Sequence, residues 1–212
     1  MKQRSVTAEA TMERIVTATI AAIEAGGEPS LRVNDIARDS DVSVATLYHY
    51  FGDREGLVVA ARVRQYLGST GVYFDDFTRA VENLKNADEF AALIRHFFDR
   101  STTSANRPMR FLRAEIIGSS RTRPQLAASL REIQEDHLRK LTEVFAVAKS
   151  RGFIAEEIEP RDVAEFALAI NFGSVVPDLV AGDESRGESL NRLLPLLIDR
   201  VLVPGKAKLS AS

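Results

Sequence analysis

Residues Leu31–Leu57 read LRVNDIARDSDVSVATLYHYFGDREGL, and this stretch decides the architecture. Val33, Ile36 and Ala37 recur at helical spacing, and Asp39-Ser40-Asp41 breaks the run. Ser43 supplies an N-cap oxygen for a second short helix that runs to about Tyr50. Gly52 stops that helix, and Asp53 caps the next one. Two short helices joined by a tight turn make a helix-turn-helix. Around the second of them, Val42, Leu47 and Phe51 project to one side, towards Ile36. Val44, Ala45, Tyr48 and His49 project to the other.

That outward side is small at its N-terminal end, as it must be if the first helical turn is to sit against base edges in a major groove. Val44 and Ala45 suit thymine methyls. Thr46 and Tyr48 offer hydroxyls to phosphate oxygens, and His49 offers a ring N–H to a base or a phosphate. Arg54 lies where the next helix begins and where free backbone N–H groups also favour a phosphate. Lys2 and Arg4 fall on an expected flexible arm over residues 1–8, able to reach phosphates or a minor groove. The partner implied is double-stranded DNA.

Charge neither adds to this reading nor overturns it. The 212 residues hold 28 Lys/Arg and 30 Asp/Glu. Residues 1–66 hold 8 basic and 9 acidic side chains, so no half of the chain carries a basic field. Any grip on DNA is local. With no cysteines and three histidines, disulfides and thiolate metal sites are excluded, and neither a metal nor another cofactor is expected. No Gly-x-Ser-x-Gly, His-Glu-x-x-His, glycine-rich phosphate loop or nucleotide fingerprint is present, so the expectation is not an enzyme. No apolar run approaches the roughly 18 residues of a membrane span. Met1–Ser5 lacks an apolar stretch behind its basic start, so a cytoplasmic location is expected.

Away from the helix-turn-helix the pattern is helical nearly throughout, and the fold class is all-α. Upstream, Met12, Ile15, Val16, Thr19, Ile20 and Ile23 form one helix face that ends at Gly26-Gly27. Ser30 or Asn34 is expected to cap the short helix that follows. Downstream, a helix from Asp53 carries Leu57, Ala60, Ala61 and Val63. Further helices open near Asp88, Pro108, Pro124 and Pro160, and a last one carries leucines from Leu190 with Pro195 inside it. The expected domains are an arm over 1–8, a helix-turn-helix domain over 9–54, a larger helical domain over 55–204 and a disordered tail over 205–212.

Several of these residues together resemble the DNA-binding domain of the tetracycline-repressor-like (TetR/AcrR) transcriptional regulators. They are Gly27, Asp35-Ile36-Ala37, Val42-Ser43, Thr46-Leu47-Tyr48-His49-Tyr50-Phe51, then Arg54-Glu55 and Leu57. The chain departs from the pattern at Asp41, where a turn glycine is usual, and at Val44-Ala45, where Lys-Gly is common. It also has Arg32 for the usual Thr and Asn34 for the usual Arg. The resemblance implies a three-helix DNA-binding domain and a larger C-terminal domain that binds a small-molecule effector and forms a homodimer. Arg32, Asn34 and Ser43 join the expected DNA-contacting set.

The resemblance further implies a ligand-responsive regulator, most often a repressor, that reads a palindromic operator as a dimer. A small apolar or amphipathic effector would release it. Phe97, Phe98, Met109, Phe111, Phe145, Phe166 and Phe172 are candidates to line the effector cavity, with His137 and Asn171 to orient the ligand. The last helix and the Asn171–Val176 stretch are the expected dimer surface. The alternative is a helical ligand-binding protein of the same fold without specific DNA binding.

Overall fold

The computed structural model describes residues 2–70, 74–179 and 188–203. Among these residues there are helices and no strands. The expected tail over 205–212 and the polar loop near Gly182–Gly187 lie outside them. The chain forms two compact units.

The first unit runs up to Gly68 and adds Ser119–Leu130. It holds α1 (Lys2–Gly26), α2 (Val33–Asp39), α3 (Val44–Phe51) and most of α4 (Arg54–Thr70). Helix α1 begins at Lys2, where the sequence suggests an arm over 1–8, because the first residues carry no proline or glycine to stop it. It ends as expected at Gly27, which takes φ 73° and closes the last turn with an N–H bond to the Ile23 carbonyl. Glu28–Ser30 forms a single 3₁₀ turn. Neither Ser30 nor Asn34 caps α2. Arg32 occupies the N-cap without a side-chain bond, and the Ser30 hydroxyl donates back to the Gly27 carbonyl at 2.9 Å.

The core of this unit joins Ile15 and Ile23 of α1, Ile36 and Ala37 of α2, Leu47 of α3, and Leu57, Val58 and Ala61 of α4. Helix α4 therefore packs with the helix-turn-helix well beyond residue 54, the boundary the sequence suggests. Gly56 sits at a close approach, since a Cβ there would lie 2.0 Å from the Phe51 carbonyl oxygen.

A charge cluster ties distant segments of the same unit together. The Glu28 carboxylate accepts from Arg62 of α4 at 2.6 Å and from Arg123 just before α8 (Pro124–Ser150). Arg62 also donates to Gln65 at 3.1 Å, and Arg123 lies 3.1 Å from Glu55. Arg62 is nearly buried, so losing its partner would strand a charge away from water.

The second unit comprises Ser69–Gly118 and the chain from Arg131. It holds α5 (Phe74–Asn83), α6 (Ala87–Thr102), α7 (Arg107–Ser120), the rest of α8, α9 (Pro160–Gly173), α10 (Val175–Leu179) and α11 (Glu188–Leu197). Helix α5 is not anticipated by the sequence reading. Asn86, not Asp88, caps α6 through a 2.9 Å bond from the Glu89 N–H. Pro195 stays inside α11, and the chain widens into a π turn over Ile198–Leu202.

A phenylalanine cluster centres this core. Phe145 meets Phe77 and Phe90 edge-on at 6.0 and 6.5 Å, and Phe153 stacks on Phe90 at 6.1 Å. Arg151 lies over the Phe153 ring and donates to the carbonyls of Val81, Glu82 and Leu84, satisfying the C-terminal end of α5. Arg110 of α7 is buried and grips the Asp178 carboxylate of α10 at 2.6 and 3.0 Å.

The Glu28 cluster makes a pH-dependent prediction. The hydrogen bond from Arg123, then that from Arg62, holds the Glu28 carboxyl below its ordinary value against the opposing effect of burial. A carboxyl with a depressed folded-state pKa stabilises the fold above its unfolded value of about 4.5, and that contribution is lost as pH falls through the folded value. Glu28→Gln is expected to cost about 2–3 kcal/mol at pH 7. The difference from wild type should shrink below about pH 4, as read by denaturant melts at both pH values.

Candidate nucleic-acid interface

The turn between α2 and α3 is built by local bonds. The Ser40 hydroxyl donates to the Ile36 carbonyl at 2.6 Å, and the Val42 N–H donates to the Ala37 carbonyl at 2.9 Å. Between them Asp41 takes φ 53°, the left-handed region that favours glycine. Ser43 caps α3 as its spacing predicts, accepting from the Thr46 N–H at 3.0 Å. The Ser43 and Thr46 hydroxyls also bond each other at 2.8 Å.

Leu47 is fully buried and sets the rotation of α3. Ala45, Tyr48 and His49 are exposed, Tyr48 by 42%. His49 lies edge-on to Tyr50 at 5.4 Å. Arg32 and Asn34, at the start of α2, are exposed as well.

Three of the expected contact residues are less free than their spacing suggests. Val44 is half-buried and packs on the core. Thr46 is half-buried, with its hydroxyl already engaged by Ser43. Arg54 donates to the carbonyls of Glu28 and Leu31. Its guanidinium thereby braces the 3₁₀ turn before α2, a role invisible in the sequence because both acceptors are backbone atoms. The side chains of Lys2 and Arg4 lie outside the described residues. An exposed cation that the spacing did not single out is Arg38, near the end of α2, paired with Asp35 at 2.9 Å and Asp39 at 3.1 Å. The bond to Asp39 raises its pKa above the ordinary arginine value.

The candidate effector residues scatter. Phe98, Phe145 and Phe166 line one apolar slot in the second unit. Phe97 is half-buried against Phe77 at 5.1 Å. Met109 is 41% exposed, and Phe111 sits under the Arg107 guanidinium at 5.6 Å. Phe172 is half-buried. His137 is buried, and burial lowers its pKa against the opposing charge of Asp136. The Asn171 Oδ1 is buried without a hydrogen-bond partner among the described residues.

A capped, core-anchored helix with an exposed polar and small-residue face, set after a tight turn, is the reading element of a helix-turn-helix transcriptional regulator. Residues 15–61 match the sequence model of the bacterial regulatory proteins, tetR family. The HTH-type transcriptional regulator UidR of Escherichia coli K12 is 24% identical over 197 residues, covering 92% of this chain and 94% of that protein. Salmonella enterica GusR has a similar fold, with a TM-score of 0.60 at 22% identity over 91% of this chain and 95% of that one. So does FadR of Bacillus subtilis, solved in complex with stearoyl-CoA, with a TM-score of 0.56 at 17% identity over 88% and 96% of the two chains. The family match thus covers residues 15–61, and the likeness to the solved structures extends the shared fold over most of the chain. Among the described residues no helix is long and apolar enough to cross a membrane.

The strain at Asp41 predicts that Asp41→Gly raises stability by about 0.5–1 kcal/mol, the left-handed cost offset in part by glycine's greater unfolded-state entropy. An unchanged or lower denaturation midpoint would refute this account of the turn. For the interface itself, Tyr48→Ala is expected to weaken DNA binding by about 1–3 kcal/mol through one lost hydrogen bond and its packing. Unchanged affinity in a titration of the folded variant would remove Tyr48 from the interface.

Proposed function

We propose that this protein is a dimeric, ligand-responsive repressor acting in the cytoplasm on a two-fold symmetric operator. The observation that carries the reading is α3 itself. Its buried side is locked by Leu47 and its cap by Ser43, while Ala45, Tyr48 and His49 stand exposed for bases and phosphates. Arg32 and Asn34 contribute from the start of α2. Val44 and Thr46 act mainly by shaping the N-terminal turn, and Arg54 by holding the turn before α2.

One helix-turn-helix reads a half-site, so a symmetric operator calls for two copies. Helices α9 to α11 support a dimer surface. Phe166, Val176, Leu179, Leu193, Leu196 and Leu197 are all exposed, and large apolar side chains left exposed on successive helices suit an interface. In this reading a small apolar or amphipathic effector in the second unit favours a spacing of the two recognition helices that no longer fits successive major grooves. DNA and effector then weaken each other equally. The stearoyl-CoA complex of the related FadR supports an effector with an apolar body. The second reading, a ligand-binding protein without specific DNA affinity, draws on Arg54, whose donors go to backbone carbonyls.

Anisotropy titrations against duplexes from the region beside the protein's own gene test both readings. The expected result is competitor-resistant, salt-sensitive binding with two protomers per site. The double variant Leu193→Glu, Leu196→Glu should be monomeric by light scattering and lose that binding. Only weak binding to every duplex, with random DNA competing fully, would leave the second reading standing.

A further inference from the structure

The second unit contains an apolar slot of about 340 Å³ between α6, α8, α9 and the end of the chain. Its floor is formed by buried side chains, among them Phe98, Phe145, Leu194 and Ile198. Its rim exposes Phe166. Asp162, in the first turn of α9, is the one ionisable residue lining it.

The charges around the mouth leave that carboxylate uncompensated. Arg161 is held by Glu165 at 2.9 Å, and Glu159 takes Lys149 at 3.0 Å. Asp162 itself makes no ion pair among the described residues. An apolar slot needs apolar atoms to fill it, since water finds no partners there, and a lone carboxylate at its mouth attracts a cation. We propose that the slot binds a single-chain amphiphile with a cationic head, one per protomer, with the tail among the phenylalanines and the head at Asp162. A methylene takes about the same volume as one water in the liquid, roughly 30 Å³, so about 340 Å³ corresponds to a tail of about ten to twelve carbons.

Phe166 and Leu197 also belong to the apolar face assigned above to a second copy. Phe98, Phe145, Leu194 and Ile198 are themselves buried, and the tail is assigned to them rather than to the exposed face. The proposal deepens the effector reading by naming the site and the ligand class. Its test uses no DNA, so failure of the operator assay and failure of the slot are separate results.

Calorimetric titration of the full chain with dodecyltrimethylammonium, kept below its micelle concentration, reads the site directly, with dodecyl sulfate as the anionic counterpart. The expected result is one alkylammonium per protomer, bound at least tenfold tighter than the sulfate. Affinity should rise about three- to fourfold per methylene along a tail series and flatten beyond about twelve carbons. Asp162→Asn should bring the two head groups within about twofold of each other while keeping the tail dependence. Ala167→Phe, which fills the slot, should abolish both, with circular dichroism to confirm the fold. If that variant does not fold, the exposed Asp162→Asn and the tail series decide. Dodecyl sulfate binding as tightly as the ammonium, tail dependence continuing past sixteen carbons, or no saturable binding would each overturn the proposal.

Discussion

The rotation of α3 about its own axis is fixed by one side chain. Leu47 is fully buried against Ile36 and the α1 and α4 residues that complete the core. A helix has 3.6 residues per turn, so placing residue 47 inward places residues 45, 48 and 49 outward without any further choice. The Ser43 cap sets where that helix begins, and the Asp41 turn sets the direction from which it starts. Everything the interface offers to DNA follows from those three local constraints. The protein holds them with a few short bonds within the turn and with the core that α1, α2 and α4 build around Leu47.

Arginines brace each of the two units. Arg54 holds the carbonyls before α2, Arg62 and Arg123 share Glu28, Arg110 grips Asp178 and Arg151 closes the end of α5. The guanidinium suits this work because its planar fork delivers several donors in fixed directions and stays charged throughout. The near-neutral total therefore conceals a division of labour. These five of the 28 basic residues brace main-chain carbonyls or part-buried carboxylates.

Much of this was legible in the residues, for reasons of locality. The Ser43 cap, the Gly27 stop and the buried Leu47 all depend on neighbours within four or five positions, and a period reads them. The bracing arginines do not. Arg123 and Glu28 are 95 positions apart and Arg110 and Asp178 are 68 apart, so no window contains both partners. Arg54 escaped for a different reason, because its acceptors are main-chain carbonyls that every residue carries. Helix α5 was missed because it is ten residues long and follows a stretch rich in glycine and serine. The nine candidate effector residues were chosen by type on helical faces. Type does not say which way adjacent faces turn, so only Phe98, Phe145 and Phe166 meet at one slot.

The path of the chain divides several helices between the two units. It passes between them after Gly68, after Gly118 and after Leu130. The third passage falls inside α8, a helix of 27 residues with neither glycine nor an interior proline. Its first two turns are built into the first unit beside Arg123, with Leu126 fully buried, and its remainder supplies Leu141, Val144 and Phe145 to the second core. Phe145 lines the apolar slot, and Arg123 holds the turn that precedes α2 through Glu28. The same helix therefore supplies Leu126 to the interior of the first unit and a wall of the candidate ligand site to the second.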